Sequence, residues 1–143
     1  MAEQIRTDVT SALKAGDRTR AGALRLVLSE LQRAAKDGHG DEQAVLRRER
    51  KRRREAATAF RDGGRTDLAE QEEREATMIE AYLPEDLGDE QLDALVRDAV
   101  ARTGAEGPRD MGRVMKDVMA AAGGRADGRR VSARVRELLV DGP

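Results

Sequence analysis

Apolar residues recur along this chain at steps of three and four, the spacing of a helix face, and no stretch carries a convincing strand alternation. The first stripe, Ile5, Val9, Ala12 and Leu13, ends at Gly16-Asp17. A second, Leu24, Val27, Leu28, Leu31 and Ala35, stops at Gly38-His39-Gly40. Asp41 is placed to N-cap a third helix that runs to Asp62, where Gly63-Gly64 breaks it. Asp67, with Glu70 three residues on, reads as a capping box for a fourth helix that presents Leu68, Ala76, Ile79 and Leu83. Pro84 ends that helix, because the residue before a proline disfavours helical dihedrals.

Three shorter stripes follow. They are Leu92, Leu95, Val96, Ala99 and Val100, then Met111, Val114, Met115, Val118 and Met119, then Val131, Val135, Leu138 and Leu139. Loops at Gly104 to Pro108 and Gly123 to Gly128 separate them. The pattern predicts an all-α chain of seven helices, with an N-terminal helical bundle over 1–84 and a three-helix C-terminal module over 88–142. One Phe, one Tyr and no Trp leave the core to Leu, Val, Ala, Met and Ile.

Charge changes the picture less than its density suggests. The chain carries 27 basic and 28 acidic residues, so net charge offers no simple argument for a dedicated nucleic-acid binder. Such a balanced mixture suits long exposed helices laced by ion pairs. With no cysteine, disulfides, thiolate metal sites and a cysteine nucleophile are excluded. No apolar run reaches the roughly 18 residues of a membrane span, and Met1-Ala2-Glu3-Gln4 does not open a secretory signal. The expected location is the cytoplasm, with no membrane partner.

No catalytic constellation is legible. His39 lies between two glycines in a loop, and Ser11, Ser29 and Ser132 sit in helical patterns without a nucleophile motif. Phosphate-gripping loops and metal-ligand spacings are also missing, so the expected cofactor and metal are none.

Two basic regions compete for attention. Arg47 to Arg54 holds seven cations in eight residues, which could meet phosphates. Folding back at Gly63-Gly64, with facing residue numbers summing to about 128, sets Arg52, Arg53 and Arg54 near Glu73 and Glu75, with Glu70 and Glu72 a turn away. An interhelical ion-pair ladder is therefore the simpler reading. It leaves Arg47, Arg48, Lys51 and Arg52 as a secondary basic face, while Arg50 and Arg53 lie on the face of Leu46, Ala57 and Phe60.

The second region is Gly123-Gly124-Arg125-Ala126-Asp127-Gly128. Asp127 is placed to N-cap the last helix, and Arg125, Arg129 and Arg130 surround a helix N-terminus able to hold a phosphate. Asp110 stands in the same relation to the sixth helix, with Arg113 and Lys116 on its exposed face.

Tyr82-Leu83-Pro84-Glu85, Asp110-Met111-Gly112-Arg113-Val114-Met115 and Gly124-Arg125-Ala126-Asp127-Gly128, in that order and spacing, resemble the GatB/YqeY-domain family. Upstream, Leu24 to Leu28, Arg48-Glu49, Phe60 and Gly64 to Leu68 extend the resemblance over nearly the whole chain. Gly88 stands where a Ser cap is common in that family, and Arg50 where an apolar residue is common. The family's stand-alone members are similar to the tail of the GatB subunit of glutamine-dependent tRNA amidotransferases. The resemblance implies a non-catalytic, tRNA-associated accessory module that positions tRNA by phosphate contacts at Arg113, Lys116, Arg125 and Arg129, and the helix N-terminus adds Arg130 as a candidate. Two other roles stay open: an adaptor docking on an amidotransferase or other protein, and a component of carbon–nitrogen ligation with glutamine as amide donor. Which tRNA, and which oligomeric state, stay open as well.

Overall fold

The structure is a computed structural model that describes residues 1–38 and 41–140. Seven α-helices and one 3-10 turn account for its regular structure, with no strand among the described residues. They are α1 (Ala2–Lys14), α2 (Arg18–Lys36), α3 (Glu42–Asp62), α4 (Thr66–Glu80), α5 (Asp89–Thr103), α6 (Met111–Ala122) and α7 (Gly128–Val140), with the turn at Pro108–Asp110. The all-α expectation is met. Contacts divide the chain into two compact units, Met1–Pro84 and Glu85–Pro143. His39, and positions 141 and 142 of the expected last module, lie outside the described residues.

In the first unit, Ile5, Val9, Leu24, Val27, Leu31, Leu46 and Ile79 form one apolar core. Two assignments fail at helix ends. Leu13 is 45% exposed, since it lies at the edge of the α1 stripe in the last turn before the chain reverses at Gly16. Ala35 is exposed and Ala34 is buried in its place, in the same core cluster as Val45 of α3. Asp17 caps α2 by accepting from the Arg20 N–H at 3.1 Å, and Asp41 caps α3 by accepting from that of Ala44 at 3.2 Å.

The capping box for α4 does not form. That helix starts at Thr66, two residues early, and Asp67 lies in its first turn. The Leu68 backbone N–H and then Arg65 hold the Asp67 carboxyl below its ordinary range. After α4, Tyr82 and Leu83 continue in 3-10 fashion by donating to Ile79 and Glu80 carbonyls, both at 3.0 Å. This turn aims the Tyr82 hydroxyl at Asp8 of α1, to which it donates.

The second unit packs α5, α6 and α7 mutually around Leu92, Val96, Val114, Val118, Val131 and Val135, all fully buried. Gly104 (φ 67°) and Gly123 (φ 58°) close α5 and α6 in the left-handed region, where a Cβ would be strained. Gly88 has no side chain to cap α5, but its N–H donates to Gln91 at 3.0 Å, half of a capping box.

Candidate nucleic-acid interface

The loop before α7 is built by local and non-local bonds together. Asp127 caps α7 as expected, accepting from the Arg130 N–H at 2.8 Å. The Leu87 N–H donates to the Arg125 carbonyl at 2.7 Å, and Arg125 Nε donates back to the Glu85 carbonyl at 2.8 Å. Arg130 donates to the Leu87 carbonyl and pairs with Asp89 at 2.7 Å. Two of the five expected phosphate contacts, Arg125 and Arg130, are thus already engaged in clamping segment 85–89.

Arg113 is engaged as well. It pairs with Asp110 at 2.5 Å and donates to the Thr103 carbonyl at 3.2 Å. Asp110 makes no side-chain cap for α6. Its carboxylate instead accepts from the Glu106 N–H at 2.9 Å, and that bond, ahead of Arg113, holds it below the ordinary carboxylate range. Arg129 and Lys116 are exposed, and neither side chain has an ion pair among the described residues.

Ion pairs fix which flank of each helix meets α5. Asp117 of α6 binds Arg102 at 2.5 Å; on α7, Arg134 binds Asp93 at 2.5 Å, and Arg130 has Asp89. With about 100° between successive residues, the opposite flanks, where α6 and α7 approach each other, follow directly. Met115 and Met119 of α6 and Ser132 and Leu139 of α7 are half-buried along that seam. Lys116 on the outer face of α6, and Arg129 and Arg136 on one side of α7, are all exposed. Among the described residues, the neighbouring carboxylates Asp117, Asp127 and Glu137 are turned to other partners. Arg136 escaped the sequence reading, although its spacing of seven residues from Arg129, with Ser132 between, marks the same helix face.

The Arg47–Arg54 run is largely consumed within the first unit. Arg53, 8% exposed, donates to Glu49 Oε2 at 2.7 Å and lies 3.4 Å from Glu75. Its Nε is buried without a hydrogen bond. Arg52 reaches Glu49 at 3.3 Å, Lys51 reaches Glu55 at 3.9 Å, and Arg47 donates to Gln43 at 2.8 Å. Arg54 pairs with Glu80, Arg50 lies 3.9 Å from the same carboxylate, and Glu73 takes Arg61 at 2.8 Å. The ladder exists, but long side chains reach diagonally across the seam, so Glu80 rather than Glu70 or Glu72 completes it. Of the secondary basic face, Arg48 alone keeps an unpaired side chain among the described residues.

The sequence profile of the Yqey-like protein family matches residues 2–139. The chain belongs to that family. Its domain occurs both in stand-alone proteins and in the C-terminal tail of GatB. An uncharacterized protein of Schizosaccharomyces pombe is 33% identical over 86 residues, covering 57% of this chain and 70% of that protein. No helix among the described residues is long and apolar enough to cross a membrane.

Proposed function

We propose that this YqeY-family chain is a non-catalytic module that positions tRNA by contacts to its phosphates. The supporting observation is that Lys116, Arg129 and Arg136 of the second unit are exposed and have no ion pair among the described residues, in a chain whose family domain also occurs in the GatB tail. Cations with no ion pair among the described residues are available to a phosphate, whereas Arg125 and Arg130 would first have to release segment 85–89. Contacts of this kind set orientation and carry little sequence information, so recognition would be of RNA shape.

The test is binding of the full chain to total tRNA and to duplex DNA across a salt series. Three phosphate contacts give a slope of log affinity against log salt of about −2 to −3. The triple variant Lys116→Ala/Arg129→Ala/Arg136→Ala should flatten that slope, while Arg97→Ala on exposed α5 should leave it unchanged. Absence of tRNA binding at low salt, or equal losses in both variants, overturns the reading. A second reading, a protein adaptor, is favoured by the near-neutral charge and by how many arginines are paired internally.

A further inference from the structure

The outer face of α2 carries two residues that the fold does not need. Leu26 is 60% exposed in the middle of the helix, covered by nothing in its own unit. Gly22, one turn earlier on the same face, has an ordinary helical backbone, and a Cβ added there would meet nothing within 4 Å. A mid-helix glycine costs roughly 1 kcal/mol relative to alanine, so its own structure gives no return for that loss.

These two positions lie in a basic stripe. Arg18, Arg25, Arg33 and Lys36 share the face with Leu26 and are all exposed, over a length of about 27 Å. Arg18, Arg25 and Lys36 have no ion pair among the described residues. Glu30, the helix's one acid, lies at the edge of the stripe and is 3.4 Å from Arg33.

We propose that this face docks an acidic amphipathic helix of a partner protein. Its carboxylates would meet the four cations, an aliphatic side chain would cover Leu26, and its backbone would pass close over the notch at Gly22. Charge complementarity selects an acidic occupant, and Leu26 selects protein over RNA. A phosphate backbone does not reward a central leucine, and the stripe has no aromatic ring on which a base could stack. One leucine anchor on a single helix face makes a small interface, so the complex is a transient one.

The test titrates the isotopically labelled full chain with an 18-residue helical peptide bearing glutamates along one face and leucines at its centre. An 18-nucleotide uridine RNA is titrated in parallel. The expected result is peptide-induced amide shifts confined to α2, with affinity falling about tenfold in Leu26→Ala. Gly22→Ala should weaken the peptide while raising the melting temperature, a combination that misfolding cannot produce. No α2 shifts with the peptide, α2 shifts with RNA that ignore Leu26→Ala, or unchanged affinity in both variants would each overturn the proposal.

Discussion

Arg53→Met tests the account of the α3–α4 seam most directly. The substitution keeps much of the stem's volume and removes a guanidinium that is 2.7 Å from Glu49 and 3.4 Å from Glu75. Glu49 is only 4% exposed, so its carboxylate cannot recover water when its partner goes. Breaking one side of a buried pair costs about 3–5 kcal/mol. Arg52 still reaches the other Glu49 oxygen at 3.3 Å, which places the expectation at the lower end, near 3 kcal/mol. Removing the buried Arg53 Nε, which lies 3.4 Å from Glu75 without a hydrogen bond, offsets a little of that loss.

The assay is urea denaturation followed by tyrosine fluorescence. The chain has a single tyrosine and no tryptophan, and Tyr82 lies in the first unit, so the signal reports that unit alone. With a slope near 1 kcal/mol per molar urea, the midpoint should fall by roughly 2–3 M. The double variant Arg53→Met/Glu49→Leu removes the stranded charge and should return to within about 1 kcal/mol of the parent. A single-variant loss below about 1 kcal/mol, or a double variant no better than the single, would refute the claim that Glu49 depends on Arg53.

Other outcomes follow from the same structure. Burial, and then Glu75, raises the Glu72 pKa above its ordinary 4.5, so the folded state holds that proton more tightly than the unfolded chain. Stability is therefore lost as pH rises from 4.5 through the raised value; Glu72→Gln should increase the melting temperature at pH 7 and show no advantage below pH 4.5. Burial and the Asp8 carboxylate push the Tyr82 hydroxyl up to about 12, so tyrosinate absorbance should stay absent at pH 10 while the fold persists. Tyr82→Phe, which removes that fluorophore, should cost about 1 kcal/mol in urea denaturation read by circular dichroism. Asp127→Ala should lose about 1 kcal/mol of second-unit stability through its cap, and an unchanged melting curve would show that α7 does not need it.

Helix positions were legible because local spacing and local breaks determine them. Gly63-Gly64 and Gly104 stop helices through their own backbone preferences, and Asp41 and Asp127 cap through an N–H three residues away. Asp110 shows where that logic fails. Its carboxylate has the Glu106 N–H and Arg113 within reach, and a loop geometry that no periodicity encodes decides between them and a cap. Leu13 and Ala35 fail for a related reason, since a stripe says which side of a helix is apolar and not where its neighbours end. For the candidate interface, Arg125 and Arg130 are bound to residues about forty positions upstream, a pairing invisible to any local reading. Arg136 was legible from helical spacing alone.

The arginines of this chain divide by what lies within their reach, and salt should expose the division. Arg53 and Arg134 are buried or half-buried against carboxylates, where mobile ions enter poorly. Lys116, Arg129 and Arg136 are exposed and have no ion pair among the described residues. Raising NaCl from 0.05 to 0.5 M shortens the screening length to roughly 4 Å. Over that tenfold change, three released counterions reduce tRNA affinity by about 100- to 1000-fold. The melting temperature of the free protein should move by only about 2–3 °C, because exposed pairs contribute little and buried ones are weakly screened. Parallel melting and binding curves over the salt series check this. A large fall in melting temperature with binding unchanged would mean that the paired arginines carry the electrostatics, and that Lys116, Arg129 and Arg136 do not hold RNA.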